Sequence, residues 1–412
     1  MSAELDAISP GWIIGPYRIV RAFHARGGMA RVFEVEIREK YRRQDVPRRL
    51  AMKVAKPEFQ AALSTEADYL ARFNHPNVVR IYPILGYHKT VWAARGSFPF
   101  GEGWYYTMEL LNGGSLQIYL YRPTTVTGLL RTPTDGEQQP LHLLEAIGLA
   151  RQMAAALEHI HERSVINLDV KPTNILFRHR TFRYLRGTVP HAVLTDFGIA
   201  RDLQHPRLGM LGIATPEYAS PEQILETGRH SRPIGPWSDI FSLGIVIYEM
   251  LTGRLPFENI SDTVNPAYRP VPPREIRPAT PSALETIVMR CLEKEPDRRF
   301  QSARELRLAL ERVPTPVDVP ALARRALVAT SFLTLALGGW GLSLVVNDGA
   351  RSTPTPAPPA ATVMISPTPT VTPSLTPTLR PSVVRPTSTP APTPTPTPTP
   401  VPLPTPITPP SP

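Results

Sequence analysis

Cysteine is almost absent. The 412-residue chain has one, Cys291, so no internal disulfide can form and nothing in the composition asks for an oxidising compartment. The N-terminal MSAELDAISPGW lacks an apolar run and carries acidic residues, so no secretory signal is expected there. Long hydrophobic runs are missing except at 326–346, and the last 62 residues have almost nothing to bury. Those residues, 351–412, hold 22 of the 50 prolines together with 16 threonines, which excludes a single globular body over the whole length. Acidic residues are fewer than basic ones, 35 against 45, for a formal net charge of +10. That excess is local: +3 lies in the tail, +4 in 38–49 and +4 in 178–186, leaving about −1 elsewhere. A nearly neutral body does not call for nucleic acid as a partner.

The one apolar run is uncharged for 21 residues and contains six Leu, three Val, Phe332 and Trp340. As a helix it reaches roughly 31 Å against a hydrocarbon core of about 30 Å. Nothing foldable follows that could bury it, so a transmembrane helix at 326–346 is expected, joined to the preceding body by a juxtamembrane link at 313–325. Arg324 and Arg325, with Arg304, Arg307 and Arg312 further back, outweigh Arg351 on the far side. The positive-inside rule then places the N-terminal body in the cytoplasm of a single-pass cell-membrane protein, with the tail outside. That tail, 347–412, is expected to be an extended polyproline-like chain, its last 62 residues reaching roughly 190 Å at about 3.1 Å per residue if straight. A wall-crossing or glycosylated stalk and a tail without a partner both remain open. Thr330, Thr334 and Gly338 recur every four residues, a stripe that could pack a homodimer or be ordinary small residues in a membrane helix. The two basic insertions could face acidic lipid or simply be solvated.

Residues 12–312 are long enough for two lobes. Strand patterns at 17–20, 31–37 and 50–55, the first two joined by a turn around Gly27 and Gly28, give way to helical spacing at 59–73, where Leu63, Glu66 and Leu70 share a face. Helical periodicity continues at 143–161 and 240–251, so an α+β fold is expected, with a small β-rich lobe before a larger helical one.

The chemistry is concentrated in short segments. FHARGGMARV, 23–32, lies between two predicted strands, and its glycines would let backbone amides approach phosphate oxygens; a plain hairpin has the same pattern. Lys53 interrupts an apolar strand, and Glu66 on the next helix is a carboxylate that could hold it, although surface charge would look alike. The specific signal is DVKPTNIL, 169–176, followed by DFG at 196–198. Phosphoryl transfer needs a base for the hydroxyl nucleophile, oxygen ligands for magnesium and cations on the moving phosphate. Asp169 can be the base, Lys171 the cation, and Asn174 and Asp196 the hard oxygen donors.

On these motifs the chain resembles the membrane-anchored, eukaryotic-like serine/threonine protein kinases of bacteria, over about residues 12–312. The resemblance implies the two-lobed protein-kinase-like fold, ATP and Mg2+ as cofactors, and protein substrates. It implies further that Ala25, Gly27, Gly28, Met29 and Val32 belong to the loop over the nucleotide, that Lys53 pairs with Glu66 and with phosphate, and that Met108, Glu109 and Leu111 belong to the hinge against adenine. Asp169 would be the base, with Asn174 and Asp196 on magnesium. ATPEYASPEQ, 214–223, looks like the substrate-docking loop, Glu222 would pair with Arg299, and Asp239 would anchor the catalytic loop. Lys171 and Thr215 favour serine and threonine over tyrosine.

Three departures stand out. Ala25 and Ala30 replace glycines of the nucleotide loop, so a raised nucleotide KM is expected. Asn167 and Leu168 replace the His-Arg pair before Asp169, and leucine cannot receive a phosphate. No Ser, Thr or Tyr occurs in 199–214, so both halves of that switch are absent together. Independence from activation-loop phosphorylation is expected, with control through assembly or the membrane segment. The rival expectations are a pseudokinase scaffold, supported by Ala25 and Asn167-Leu168, and a structural tether; a scaffold has no chemical reason to keep Lys53, Glu66, Asp169, Asn174 and Asp196.

Overall fold

The computed structural model describes residues 8–23, 30–99, 101–120, 140–179, 189–202, 215–225 and 233–315. The first lobe is a seven-stranded antiparallel sheet: β1 (Ile13–Ile14), β2 (Tyr17–Ala22), β3 (Ala30–Ile37), β4 (Arg49–Ala55), β5 (Ile81–Tyr82), β6 (Ala93–Phe98) and β7 (Gly101–Met108), in the order β1-β2-β3-β4-β7-β5 with β6 also on β7. Alternation drives this pairing. Tyr17 and Ile19 of β2 point inward, joining Phe33, Val35, Leu50, Met52 and Tyr105 in an apolar core on one side of the sheet. The other side receives α1 (Gln60–Leu70), which buries Leu63, Glu66, Ala67 and Leu70 at helical spacing. The expected helix at 59–73 is shorter than its sequence pattern, because Pro57–Phe59 forms a 3-10 turn ahead of it.

The second lobe contains α2 (Leu116–Leu120), α3 (Leu143–His161), the short strands β8 (Val165–Ile166), β9 (Ile175–Phe177), β10 (Ala192–Leu194) and β11 (Arg201–Asp202), then α4 (Pro221–Ile224), α5 (Pro236–Thr252), α6 (Ile260–Val264), α7 (Pro273–Ile276), α8 (Ser282–Cys291) and α9 (Ala303–Glu311). Every residue of α5 from Ser238 to Thr252 is buried, as expected of a helix apolar on all sides. It ends at Gly253, whose φ of +70° is the left-handed closing position that glycine takes without a Cβ penalty. One apolar core runs from α1 through α3 to α5 and α9, so both lobes are packed on shared side chains. Arg151 of α3 donates to the carbonyls of Leu310, Glu311 and Val313 and closes the end of α9.

Among the described residues no helix is long and apolar enough to cross a membrane. The expected span at 326–346, the tail, most of the juxtamembrane link, and Ala25, Gly27, Gly28 and Met29 lie outside the described residues. The two-lobed α+β expectation agrees with the observed architecture. In the first basic insertion, Arg43 pairs with Asp45, Arg48 with Glu36 and Arg49 with Glu34, so the fold balances part of its charge.

Candidate active site

Sheet register builds the upper half of the site. Val32 faces Lys53, which faces Tyr106, while Ala51 faces Met108, so these five side chains share one face of β3, β4 and β7. Lys53 Nζ donates to both Glu66 oxygens, at 2.7 and 2.8 Å, and to Asp196 Oδ1 at 2.9 Å. Glu66 Oε1 also accepts from the Tyr106 hydroxyl and the Phe197 N–H, both at 3.0 Å, which ties α1 to the DFG segment. Burial works against the Lys53 charge, yet Asp196 and Glu66 hold its pKa well above the ordinary lysine value. Burial also pushes the half-exposed Asp196 up, but the Lys53 charge and hydrogen bond outweigh it and keep that carboxyl below its usual range. Burial raises the Glu66 carboxyl above its usual range against the lowering effect of Lys53, so the upper half places one cation between two carboxyl groups whose environments pull them in opposite directions.

The lower half is held by the catalytic loop. Asp169 Oδ1 sits 2.8 Å from Lys171 Nζ, and Asp169 Oδ2 accepts from Asn174 Nδ2 at 2.8 Å. Burial pushes the Asp169 carboxyl up to about 6, against the lowering effect of Lys171. A base with that value is ionised at neutral pH yet accepts a proton more readily than an ordinary aspartate. Lys171 Nζ also donates to Thr215 Oγ1 at 2.6 Å, bringing the docking loop beside the base. Next to Asp169, a small gap is lined by Val170, Thr215, Tyr218 and Ala219.

Asp239 on α5 supports the whole loop. Its Oδ2 accepts the Asn167 N–H at 2.8 Å and lies 2.7 Å from His161 Nε2; its Oδ1 accepts the Leu168 N–H at 2.7 Å. These bonds matter because Leu168 has φ +63°, a left-handed conformation that costs a non-glycine residue about 1–3 kcal/mol and persists only where surrounding contacts enforce it; Asp196, at φ +61°, adopts the same conformation. Further out, Glu222 and Arg299 form a pair with both side chains fully buried.

Asn174 and Asp196 fit magnesium. Asn174 commits its Nδ2 to Asp169, leaving an amide oxygen that accepts only a long 3.5 Å bond from Thr173 Oγ1, and Lys53 occupies only one Asp196 oxygen. Two hard protein donors, with phosphate and water completing the shell, are what that ion ordinarily takes. The remaining expected positions divide. Val32 and Met108 are half-buried on the sheet face that carries Lys53; Leu111 is half-buried against the main core, and among the described residues no backbone bond engages its N–H. The Glu109 carboxylate turns inward, accepting from Arg178 and the Arg80 N–H, and its own N–H donates to the Arg80 carbonyl at 2.8 Å, which leaves its backbone carbonyl to face a nucleotide. Sequence reasoning missed Tyr106, Ala51 and Gln223, whose amide donates to the Leu168 carbonyl at 3.0 Å. Strand alternation carried a signal for the first two; nothing local marked the third.

Comparison with known proteins bears on the family and the fold. The family model described as "Protein kinase domain" matches residues 26–308. Among curated proteins, serine/threonine-protein kinase PknD of Mycobacterium tuberculosis is 31% identical over 365 residues, covering 84% of this chain and 47% of that protein. Serine/threonine-protein kinase PrkC of Bacillus subtilis is 29% identical over 308 residues, 71% of this chain and 40% of that protein. Pkn1 of Myxococcus xanthus is 29% identical over 72% of this chain and 38% of its own length, so the chain spans less than half of each of these relatives. Among solved structures, the kinase domain of M. tuberculosis PknI shares the fold with a TM-score of 0.50 and 20% identity, over 74% of this chain and 99% of that one.

Proposed function

Because this chain belongs to the protein kinase domain family, we propose that it is an ATP-dependent protein serine/threonine kinase anchored in the bacterial cytoplasmic membrane by one helix. The observation that carries the reading is the joining of two preassembled clusters, Lys53-Glu66-Asp196 and Asp169-Lys171-Asn174, on one cleft. Asp169 orients a substrate hydroxyl and takes its proton as the new oxygen–phosphorus bond forms and the γ-phosphorus bond to ADP breaks. Lys171 balances charge on the moving phosphoryl group, and Lys53, steadied by Glu66, holds the phosphates that remain on ADP. Asn174 and Asp196 would hold magnesium, which would supply positive charge to neutralise the phosphates. Thr215, bonded to Lys171, sets the acceptor side toward serine and threonine.

The test is transfer of labelled γ-phosphate from ATP with magnesium to a generic protein substrate by the purified full chain. Label transfer that disappears in Asp169→Asn supports the enzyme. Intact nucleotide binding with no transfer supports the scaffold reading that Ala25 and Asn167-Leu168 favour.

Activity without an activation-loop phosphate is part of the proposal. Leu168 packs with Ile166, Ile199 and Ile234 where a phosphate-receiving arginine would be needed. The start of the activation segment is held by another device: Asp202 on β11 accepts from Arg72, just past α1, at 2.8 Å, and β11 pairs with β8. Phosphatase treatment should leave the transfer rate unchanged, and a required phosphosite would sink the idea. Membrane anchoring rests on 326–346 and the arginines before it. A cysteine introduced by Ser352→Cys should react from outside intact cells with an impermeant maleimide; protection there, with labelling only after lysis, would reverse the topology. A homodimer through the Thr330-Thr334-Gly338 stripe is compatible with this arrangement.

A further inference from the structure

Asn167 sits where the family has histidine, and both the oxygen and the nitrogen of its side chain are hydrogen-bonded. It is fully buried. Its backbone N–H goes to Asp239. Its side-chain Oδ1 accepts the Asp169 N–H at 3.0 Å, and its Nδ2 donates to the Asp196 carbonyl at 3.0 Å. The partners determine the amide orientation, since an N–H needs an acceptor and a carbonyl a donor. One bond stays local and closes the turn around left-handed Leu168, while the other reaches 29 residues along the chain to hold the main chain of left-handed Asp196.

We propose that Asn167 is a positioning residue that locks the proton-accepting and magnesium-holding halves of the site into one register. The proposal rests on the phosphoryl-transfer reading for its kinetic consequence. Its physical basis is that each half is strained where Asn167 grips it, so releasing the grip lets the base and the metal-holding carboxylate shift relative to each other. Displacements of about 1 Å between reacting groups cost on the order of 100-fold in rate. The requirement is one acceptor and one donor on a single buried side chain. Neutral histidine satisfies it, leucine offers neither, and aspartate offers two acceptors and sets an oxygen against the Asp196 carbonyl.

The experiment compares N167L, N167D and N167H with the unaltered full chain, measuring kcat, substrate KM, the magnesium-dependent gain in ADP affinity, and the thermal midpoint. Expected are a kcat lowered about 10- to 100-fold in N167L and more in N167D, with substrate KM within about threefold, since the chemical geometry is altered and not the docking loop. N167H should recover kcat to within about fivefold of the unaltered chain, because it restores both hydrogen-bonding roles. The gain in ADP affinity from magnesium should shrink in N167L and return in N167H. Full kcat in folded N167L or N167D overturns the proposal, as does an N167H no better than N167L at equal thermal midpoint. If the unaltered chain transfers no phosphate, the kinase reading fails by itself, and the ADP titrations still decide whether Asn167 holds the Asp196 half: an unchanged magnesium gain in folded N167L refutes it.

Discussion

Glu222→Ala provides the sharpest energetic test, because the structure isolates what it removes. Both Glu222 and Arg299 side chains are fully buried. Arg299 Nη1 and Nη2 donate to the two carboxylate oxygens at 2.7 and 2.9 Å, and Ser238 Oγ donates to Oε1 at 2.7 Å. The remaining guanidinium hydrogens go to the carbonyls of Glu293, Trp237 and Lys294. Arg299 therefore has no route to water when its carboxylate disappears, and stripping one partner from such a pair costs about 3–5 kcal/mol. For a body of this size that corresponds to a fall in thermal midpoint on the order of 10 °C. Thermal unfolding of the full chain followed by circular dichroism measures it. Removing the cation as well, in E222A/R299M, should be less damaging than the sum of the single changes, since the uncompensated charge is gone. A pH series adds a sign. Burial raises the Glu222 carboxyl, but the Arg299 bonds and charge, with Ser238, bring it below its ordinary value. A depressed folded-state pKa contributes stability that is present above the unfolded value of about 4.3 and is lost as pH falls through the folded one. The unaltered chain should accordingly lose more stability below that pH than E222A does. A loss under about 1 kcal/mol in E222A, or strictly additive single and double changes, would refute the reasoning.

Three further outcomes follow from other sites. With Asp169 pushed up to about 6 by burial, kcat/KM should fall as pH drops through that region because the base becomes protonated; a rate flat from pH 7 to 5 would remove Asp169 from that role. Leu168→Arg places a cation among Ile166, Ile199 and Ile234, so it should cost at least about 1 kcal/mol by chemical denaturation without raising activity; an activated, phosphatase-sensitive variant would contradict the phosphate-free reading. Cys291 is buried and its thiol is pushed up to about 12, so it should resist thiol reagents in the folded protein and react once denatured, and rapid native labelling would show the packing around α8 to be wrong.

Much of the site was legible in the sequence because its parts are local. DVKPTNIL puts base, cation and metal donor within six residues, and DFG follows in the order phosphoryl transfer needs. Helix α3 was also clear, since a long amphipathic repeat needs no distant partner to declare itself. Lys53 and Glu66 could be nominated, but surface charge was an equal reading until the sheet and α1 brought them to 2.7 Å. Glu109 shows the limit in reverse: its place in the hinge was readable, while the inward turn of its carboxylate toward Arg178 depends on a residue 69 positions away.

By itself, the sequence determined the kind of chemistry, the order of the two lobes and the separation of a neutral catalytic body from a proline-rich tail, since composition, periodicity and short motifs are properties of neighbours along the chain. Tertiary structure alone decided which charges meet, how far burial moves Asp169, and that Asn167 spans two segments its spacing never connects. Hydrogen bonds and desolvation act through space and depend on what folding brings within about 3 Å.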